Sequence, residues 1–444
     1  MAQPETDTLT GDSFVTRIID RGQLSGRKLL VVALCLLFNM LDGFDITAMA
    51  IVATPVAEEL ALTPERLGWI FSFALAGMMA GAMLLAPVSD RIGRRAMIII
   101  SLALVGVSIL LTARASTLTE FIVLRFISGL GAGAMLASQA ALAAEYSPER
   151  YRAAAVAIVT SGYPMGAMMT SVIAGYVMPD YGWRGMFWLG GAATVLMVVV
   201  AWLLIPESLK YLFEQRPTNA LARINKILRS LGEPAVDELP ERAAPPAKLG
   251  LVGSVAALMK PAHRRGSIIL WTAFFLCFST LYFLMSWIPN LMDASGYEQS
   301  VGRQAFFLFN LGGVIGVYVI SALSTRFRLT NLVFLLCGTS AVLMVVFAYV
   351  PRELNLLLGL ILIIGILLQG GFTGLYSSAA KLYPTEIRST GIGWAIGLGR
   401  SGAVAGPAVA GYFIASGLDM ASNFVIFAVP MAIGGFIAYT LHID

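Results

Sequence analysis

The sequence predicts an all-α membrane protein with twelve membrane-spanning helices. Of its 444 residues, 58% are hydrophobic and only 13% are charged, whereas soluble domains contain about 25% charged residues. The apolar runs are about 20 residues long, which is the length that a helix needs to cross a hydrocarbon core of about 30 Å. They lack the alternation of polar and apolar residues expected of a membrane barrel strand. Composition and run length together indicate a bundle of membrane helices.

Twelve apolar runs can be counted along the chain, and each is interpreted as one span. The predicted spans are residues 29–54, 67–88, 96–114, 119–144, 153–178, 184–205, 267–292, 302–324, 330–350, 354–380, 390–415 and 421–441. The polar segment 1–28 has no cleavable signal pattern, so the first span is expected to stay in the protein. Both termini are predicted to be cytoplasmic, because loops rich in Lys and Arg stay inside. Of 30 Lys and Arg residues, the predicted external loops contain Arg66, Arg114, Arg184, Arg303 and Arg352.

A long central segment, residues 206–266, divides the spans into two sets of six. We expect an N-terminal bundle at 29–205, a C-terminal bundle at 267–444, and between them a cytoplasmic loop with a short amphipathic helix that ends at Gly232. An internal repeat supports this division, because residues 148–176 align without a gap with residues 384–412 at an offset of 236. Parallel six-helix repeats hold a substrate site between the halves, near the middle of the membrane.

Two acids, Asp42 and Asp45, interrupt the first span. An ionisable group inside a membrane helix costs about 2.5–3.5 kcal/mol on insertion scales, so such groups are functional by default. At positions i and i+3 the two carboxyl groups share one helix face. Two carboxylates close together in a medium of low dielectric resist simultaneous ionisation, so one of them is expected to hold a proton. The pair predicts a proton-handling site.

Arg125, in the fourth span, is predicted to meet these acids. A rise of 1.5 Å per residue places Asp42 about 21 Å and Arg125 about 20 Å from the cytoplasmic edge. A buried arginine stays charged and needs an anion, so Asp42 or Asp45 is its expected partner. We favour Asp42 as the partner and Asp45 as the titrating site. In the alternative interpretation, both acids only line a static polar core.

Arg400, in the eleventh span, also lies near the middle of the membrane, and no acid in the second half matches its depth. A guanidinium group can hold a carboxylate with two parallel hydrogen bonds, so Arg400 predicts an anionic substrate. Alternatively, water solvates this arginine. Aromatic residues on other spans could stack on a flat substrate, and the candidates are Phe38, Tyr282, Trp287, Phe372, Tyr376 and Trp394.

The loop between spans two and three reads APVSDRIGRR at residues 86–95. It resembles the signature loop of the major facilitator superfamily, with Ala86 where that family usually has glycine. Span four contains Arg125 followed by a run of small residues, and this motif also resembles one of the superfamily. Asp90 and Arg91 are expected to form a cytoplasmic gate with Glu145, at the end of span four. In the alternative interpretation, the loop is only a positively charged anchor.

A narrower resemblance comes from LDGFD at 41–45 and LYPTEIRSTG at 382–391. These runs look like the aromatic acid:proton symporters of bacteria, and the resemblance extends from about Arg27 to the C-terminus. It implies a bacterial inner membrane and the uptake of benzoate-like or hydroxybenzoate-like anions with protons. By resemblance, the residues that matter for transport are Asp42, Asp45, Asp90, Arg125, Glu145, Arg388 and Arg400.

Other functions remain open at this stage. The run PES at 206–208 resembles sugar porters, so a porter of sugars, polyols or non-aromatic acids is the alternative. A drug:proton antiporter is disfavoured, because the glycine–proline motif of antiporters lies on span eleven and not on span five. The only histidines, His263 and His442, lie outside the spans, so we expect no enzyme, no metal and no cofactor. The expected partners are the substrate, protons and the bilayer, without nucleic acid, and the superfamily implies a monomer.

Overall fold

A computed structural model describes residues 10–20, 25–241, 251–351, 353–383 and 387–441, and the described chain is helical throughout its regular structure. The α-helices are α1 Gly11–Ile19, α2 Gly26–Ile51, α3 Ala53–Glu59, α4 Pro64–Ala80, α5 Ser89–Ile92, α6 Arg94–Thr112, α7 Leu118–Glu145, α8 Glu149–Leu204, α9 Leu209–Gln215, α10 Ala220–Leu231, α11 Leu251–Leu258, α12 Pro261–Ala294, α13 Gln299–Leu323, α14 Leu329–Tyr349, α15 Leu354–Leu382, α16 Arg388–Ala415 and α17 Met420–Tyr439. A π-helical turn, Gly81–Leu85, and a 3-10 turn, Ala86–Val88, follow α4.

Ten helices of the described chain are long and apolar enough to cross a membrane. The predicted all-α membrane fold is therefore confirmed, whereas the count of twelve spans stays a prediction. One of the ten, α8, has 56 residues and would be about 84 Å long as a straight helix, far more than one crossing needs. Its backbone leaves helical geometry at Gly182, with φ 60° and ψ −167°. This break separates the segments that the sequence predicts as spans five and six.

Helix starts coincide with residues that cap the free backbone N–H groups. The Ser25 hydroxyl accepts from the Lys28 N–H at the start of α2. Thr117 and Glu120 form a reciprocal capping box at the start of α7. Inside hydrocarbon no water can satisfy a backbone polar group, so helices whose hydrogen bonds are internal are the structures that an apolar run of this length can form.

The internal repeat recurs in the spacing of the helices. The first half is here α2–α8 and the second half α12–α17. Helix α7 begins at Leu118 and α15 at Leu354, which are 236 residues apart, and α4 and α13 begin at Pro64 and Gln299, which are 235 apart. These two pairs of equivalent helices thus begin at the offset seen in the sequence, to within one residue.

The two ends of the bundle can be distinguished by the chain direction. The near end is where α2 and α12 begin, and the far end is where they finish. Contacts between the halves are found towards the far end, where the Thr54 hydroxyl donates to an Asp293 carboxylate oxygen at 2.8 Å. Deeper in the bundle, the Ser72 hydroxyl donates to the Val404 carbonyl at 2.7 Å. These bonds hold the far side of the two halves together.

Segments outside the long helices cover the near end of the first half. Phe14 of α1 stacks on Phe213 of α9, with ring centroids 4.4 Å apart. Helix α10 is amphipathic, buries Ile224 and Leu228, and ends at Gly232, whose φ is 79°. The Lys28 ammonium group forms an ion pair with Glu233 at 2.7 Å. Helix α10 is the amphipathic helix that the sequence predicts, and the central segment contains α9 and α11 in addition.

Candidate functional site

Asp45 and Arg125 form a buried ion pair between α2 and α7. Arg125 Nη1 lies 2.8 Å from Asp45 Oδ1 and also donates to the Asp45 carbonyl oxygen at 3.1 Å. The Ser128 hydroxyl donates to the second carboxylate oxygen, and the ring of Phe187 lies 5.3 Å from the guanidinium carbon. The expected partnership of Arg125 with Asp42 is therefore wrong. Arg125 does lie at the depth of the two acids, as predicted, but its partner is Asp45.

Asp42 is buried without a hydrogen-bond partner. It is 1% exposed, and neither of its carboxylate oxygens makes a hydrogen bond in the described part of the chain. It lies within electrostatic reach of Asp45 and of Arg400, which comes from α16 in the second half. Arg400 is also buried, and its Nε makes no hydrogen bond to any residue that the structure describes. The acid that Arg400 lacks within its own half is thus supplied across the boundary between the halves.

Three tyrosines complete this polar group. Tyr163 of α8 and Tyr282 of α12 interact through their hydroxyl groups, outside regular hydrogen-bond geometry, and both interact electrostatically with Asp42 and Arg400. Tyr376 of α15 interacts with Arg400 and with Tyr282. We call these five residues, Asp42, Tyr163, Tyr282, Tyr376 and Arg400, the polar centre. It joins both halves of the chain with one carboxyl group, one guanidinium and three hydroxyls.

Helix α2 can approach Tyr163 closely because it has a glycine beside Asp42. A Cβ at Gly43 would collide with the backbone carbonyl of Tyr163. Small residues permit such close approach of membrane helices. The contact fixes Tyr163 against the turn of α2 that carries Asp42.

Aromatic rings form one wall of the polar centre. The ring of Phe278 meets that of Phe372 edge-on, with centroids 4.5 Å apart. It stacks on the ring of Tyr282, with centroids 5.9 Å apart. The ring centroid of Tyr376 lies 5.2 Å from that of Phe274 and 5.3 Å from that of Phe372. We call this set the aromatic cluster, and it comes entirely from α12 and α15: Phe274, Phe278, Tyr282, Phe372 and Tyr376. Three of the six candidates from the sequence, Tyr282, Phe372 and Tyr376, belong to it.

The other three aromatic candidates lie elsewhere. Phe38 is fully buried in a separate core of the first half, with Cys35 among its neighbours. Trp287 packs edge-on against Phe71 at 5.3 Å, and its indole N–H donates to the Pro407 carbonyl at 3.1 Å, towards the far end. Trp394 pairs with Trp271 at 6.4 Å, nearer to the start of α16 than Arg400 is. The three therefore pack helices together and are not part of the aromatic cluster.

The gate expected at the near end has a different partner from the one predicted. Glu145 forms an ion pair with Arg94, not with Arg91, and accepts a hydrogen bond from the Ser208 hydroxyl at 2.6 Å. Arg91 and Asp90 are exposed on the short helix α5. Arg388 begins α16, and its side chain lies outside the described residues. The expected Arg91–Glu145 pair is therefore wrong, although Glu145 does bind the signature loop.

Glu207 ties the same loop to the segment that follows α8. Its Oε1 accepts from the backbone N–H of Arg95 at 3.0 Å and from that of Ser208 at 2.9 Å. The backbone of Gly93 has a φ of 100°, which side chains other than glycine rarely adopt, and a Cβ there would collide with the Glu207 carboxylate. The glycine of the signature loop thus makes room for this carboxylate.

The sequence interpretation missed Phe274, Phe278 and Tyr163. Phe274, Phe278 and Tyr282 lie at i, i+4 and i+8, a spacing that puts all three on one face of α12, so the periodicity could have identified them. No comparable signal marks Tyr163. Its place beside Asp42 depends on the contact between α8 and Gly43.

Comparisons with known proteins agree with this architecture. The model of the Major Facilitator Superfamily matches residues 32–366. The 4-hydroxybenzoate transporter PcaK of Pseudomonas putida is 31% identical over 401 residues, which are 88% of this chain and 87% of that protein. The gallate transporter of Pseudomonas putida is 27% identical over 417 residues, 93% of this chain and 91% of that protein. A crystal structure of a mutant of the nucleoside transporter NupG aligns with a TM-score of 0.72 at 13% identity, covering 93% of this chain and 99% of that one.

A membrane bundle of two similar halves, with buried charges from both at its centre, is the architecture of a secondary transporter. The chain belongs to the Major Facilitator Superfamily. Its curated relatives are aromatic acid transporters, so the resemblance to that family in the sequence is confirmed. Membership makes the chain a multi-pass membrane transporter and not an enzyme.

Proposed function

We propose that the protein imports aromatic carboxylates of the benzoate or hydroxybenzoate type together with protons, by alternating access, across the bacterial inner membrane. The observation that carries this proposal is the buried guanidinium of Arg400, which lies beside the aromatic cluster and within electrostatic reach of Asp42. The names of the curated relatives, transporters of 4-hydroxybenzoate and gallate, support the same substrate class. No cofactor takes part.

The aromatic cluster and Arg400 suit the two ends of such a substrate. A guanidinium binds a carboxylate through a planar fork of N–H donors. Aromatic rings prefer to meet another ring edge-on or offset, and the rings of Phe278, Phe372 and Tyr376 present both edges and faces. The carboxylate would bind at Arg400 and the tyrosine hydroxyls, and the ring would bind in the aromatic cluster.

Asp42 would couple the proton to the substrate by competing for Arg400. When Asp42 is ionised, it stabilises the buried guanidinium, and a second carboxylate would place two anions beside one cation. Like charges in a medium of low dielectric favour protonation of one of them. Substrate therefore binds best when Asp42 is protonated. Asp45 already has Arg125 and Ser128 as partners, so we assign it to hold the site together. This reverses the roles expected from the sequence.

Movement of the two halves would expose the polar centre to each side in turn. We propose bundles at 29–205 and 267–444 joined by the cytoplasmic segment 206–266, with 1–28 preceding them. The twelve spans would be the ten long apolar helices, with α8 counted twice, and α16. Both termini would be cytoplasmic, so the far end is the external side and the structure is a state closed to the outside. We expect a monomer.

The near end would then be the cytoplasmic gate. In the first half, Arg94, Glu145 and Glu207 hold the signature loop against the segment after α8. We propose that Asp90 and Arg91 on α5 and Arg388 at the start of α16 close this side when the halves approach each other. One proton per substrate monoanion makes the cycle electroneutral, because an unaccompanied monoanion would be opposed by about 2.3 kcal/mol per 100 mV.

Replacing Asp42 with asparagine is expected to abolish accumulation driven by a pH gradient and to leave exchange of substrate across the membrane intact. Asparagine resembles the protonated acid, so substrate binding should remain and should lose its dependence on pH. In the wild type, affinity should fall as pH rises through the range in which Asp42 ionises. The measurement is uptake of labelled 4-hydroxybenzoate into proteoliposomes, with and without a gradient, alongside the dissociation constant at several pH values.

The matched control is Asp180→Asn, because Asp180 is an exposed acid on α8, outside the polar centre. That variant should accumulate substrate as the wild type does. Gradient-driven accumulation at the wild-type level in Asp42→Asn would show that another group carries the proton.

The substrate class is tested by thermal shift on the purified protein. Benzoate and hydroxybenzoates are expected to raise the melting temperature, whereas sugars, polyols, non-aromatic acids and uncharged aromatic alcohols are not. The negative charge and the ring should both be necessary, because Arg400 and the aromatic cluster each bind one of them. Stabilisation by a sugar with no effect of any aromatic acid would favour the alternative porter.

A further inference from the structure

A second polar cluster joins the halves at the far end, away from the polar centre. The Thr54 hydroxyl, at the start of α3, donates to Asp293 Oδ2 at 2.8 Å. It also accepts from Asn290 Nδ2 at 3.2 Å. Asn290 and Asp293 lie in the last turns of α12, so one threonine from the first half is held by two side chains from the second.

The positions of Thr54 and Asn290 in the repeat are informative. They are 236 residues apart, which is the offset that relates the two halves. The starts of α4 and α13, and those of α7 and α15, keep this offset to within one residue. When a residue contacts its own equivalent in a two-fold arrangement, the contact lies at the symmetry axis. The Thr54–Asn290 bond therefore lies at the axis that relates the halves, at its far end.

A contact at this place is lost in any movement that opens the far side. Rocking of two repeats about a site at the middle of the membrane separates their ends in turn. Residues at the far end of the axis must then part, while the near ends approach each other. The Thr54 cluster is thus positioned to hold the far side closed.

Asp293 also has a candidate second partner within its own half. Its Oδ1 accepts no hydrogen bond in the described residues, and the carboxylate lies within electrostatic reach of Arg303 on α13. No ion pair forms between them here, because the carboxylate is turned towards Thr54. Arg303 also lines a cavity of about 430 Å³, together with Ser171 and Gln304.

We propose that Thr54, Asn290 and Asp293 form an external latch, and that Asp293 exchanges Thr54 for Arg303 when the far side opens. An acid with one partner in each conformation is a two-state element of the kind that switches require. The latch rests on the proposed alternating access. In this proposal Asp293 controls the equilibrium between conformations and does not bind the proton or the substrate.

Two substitutions should shift this equilibrium in opposite directions. Thr54→Val keeps the shape of the side chain but removes both hydrogen bonds, so the far side should open more often. Asp293→Asn keeps an oxygen that can accept from Thr54 but loses the charge that attracts Arg303, so the far side should open less often. A net hydrogen bond contributes about 1 kcal/mol, so we expect the ratio of open to closed molecules to rise by roughly fivefold or more in Thr54→Val and to fall in Asp293→Asn.

Spin-label distances measure this ratio directly. Thr119 and Asn355 are exposed, lie at the far ends of the equivalent helices α7 and α15, and can each be changed to cysteine for labelling. The three native cysteines are buried. Pulsed electron paramagnetic resonance measures the distance between the two labels. The fraction of molecules with a long distance should be larger in Thr54→Val and smaller in Asp293→Asn than in the parent.

Glu59→Gln is the matched control. Glu59 is also a far-end acid, and hydrogen bonds from Arg184 and Trp183 hold the pKa of its carboxyl below its usual range, but those partners belong to its own half. It should leave the distances unchanged. Equal shifts in all three variants, no shift in Thr54→Val, or a shift of Asp293→Asn in the same direction as Thr54→Val would each overturn the latch. Substrate uptake by the parent protein in proteoliposomes tests the proposed function separately. If the parent takes up substrate but the distances do not change in the variants, only the latch is contradicted.

Discussion

Replacing Asp45 with asparagine is expected to lower the free energy of unfolding by about 3–5 kcal/mol, because it leaves the buried charge of Arg125 without its anion. Arg125 is 0% exposed, and its Nε and Nη2 already make no hydrogen bond in the described residues. The bond from Nη1 to the main-chain carbonyl at Asp45 remains, but it does not neutralise the charge. The melting temperature of the purified protein in detergent should fall accordingly, and the yield of folded protein should fall with it.

Asp42→Asn is the comparison that makes this test specific. It removes an equally buried carboxyl group, three residues away, that accepts no hydrogen bond from the described part of the chain. Below the pH at which Asp42 ionises, that variant should melt near the wild type, because asparagine resembles the protonated acid that it replaces. The double variant Asp45→Asn with Arg125→Gln should recover part of the lost stability. Equal destabilisation by Asp42→Asn and Asp45→Asn would contradict the different roles assigned to the two acids.

Replacing Arg400 with lysine is expected to weaken binding of aromatic carboxylates by about 10- to 100-fold. Lysine keeps the charge but cannot form the planar pair of hydrogen bonds, and hydrogen bonds to charged groups contribute about 1.5–3 kcal/mol. Titration calorimetry with 4-hydroxybenzoate measures the dissociation constant, and a melting curve without ligand verifies that the variant is folded.

Arg66→Lys is the control for this substitution, because Arg66 is exposed near the start of α4 and far from the polar centre. Its affinity should equal that of the wild type. A folded Arg400→Lys variant with undiminished affinity would place the carboxylate elsewhere in the protein. Weakened binding in both variants would indicate a general electrostatic effect and not a specific site.

The sequence predicted well how deep a side chain lies along its helix, but poorly in which direction the side chain points around the helix axis. Counting residues along each span was enough to bring Arg125 level with the acids of α2, because the rise of a helix is fixed. It could not decide between Asp42 and Asp45, which are three residues apart and differ mainly in the direction in which they point. The same limit explains the error at Glu145, whose partner is Arg94 and not Arg91, three residues earlier.

Aromatic residues show the limit most clearly. Phe38 and Phe274 occupy equivalent positions of α2 and α12, 236 residues apart, yet Phe38 packs inside the first half while Phe274 belongs to the aromatic cluster. Which face of a helix meets its neighbours depends on contacts such as the close approach at Gly43, and these involve residues distant in sequence. The long helix α8 is a similar case, since only the backbone at Gly182 shows where its two segments join.

The aromatic cluster belongs to α12 and α15, whereas Asp42, Asp45 and Arg125 belong to α2 and α7. In the function proposed above, ring recognition and proton chemistry would therefore be encoded in separate stretches of the gene. In the proposed transporter, a new ring substituent could be accommodated by changes in the second stretch alone, while the ionic machinery in the first stays untouched. Such modularity offers a physical route by which one scaffold could diversify among related nutrients.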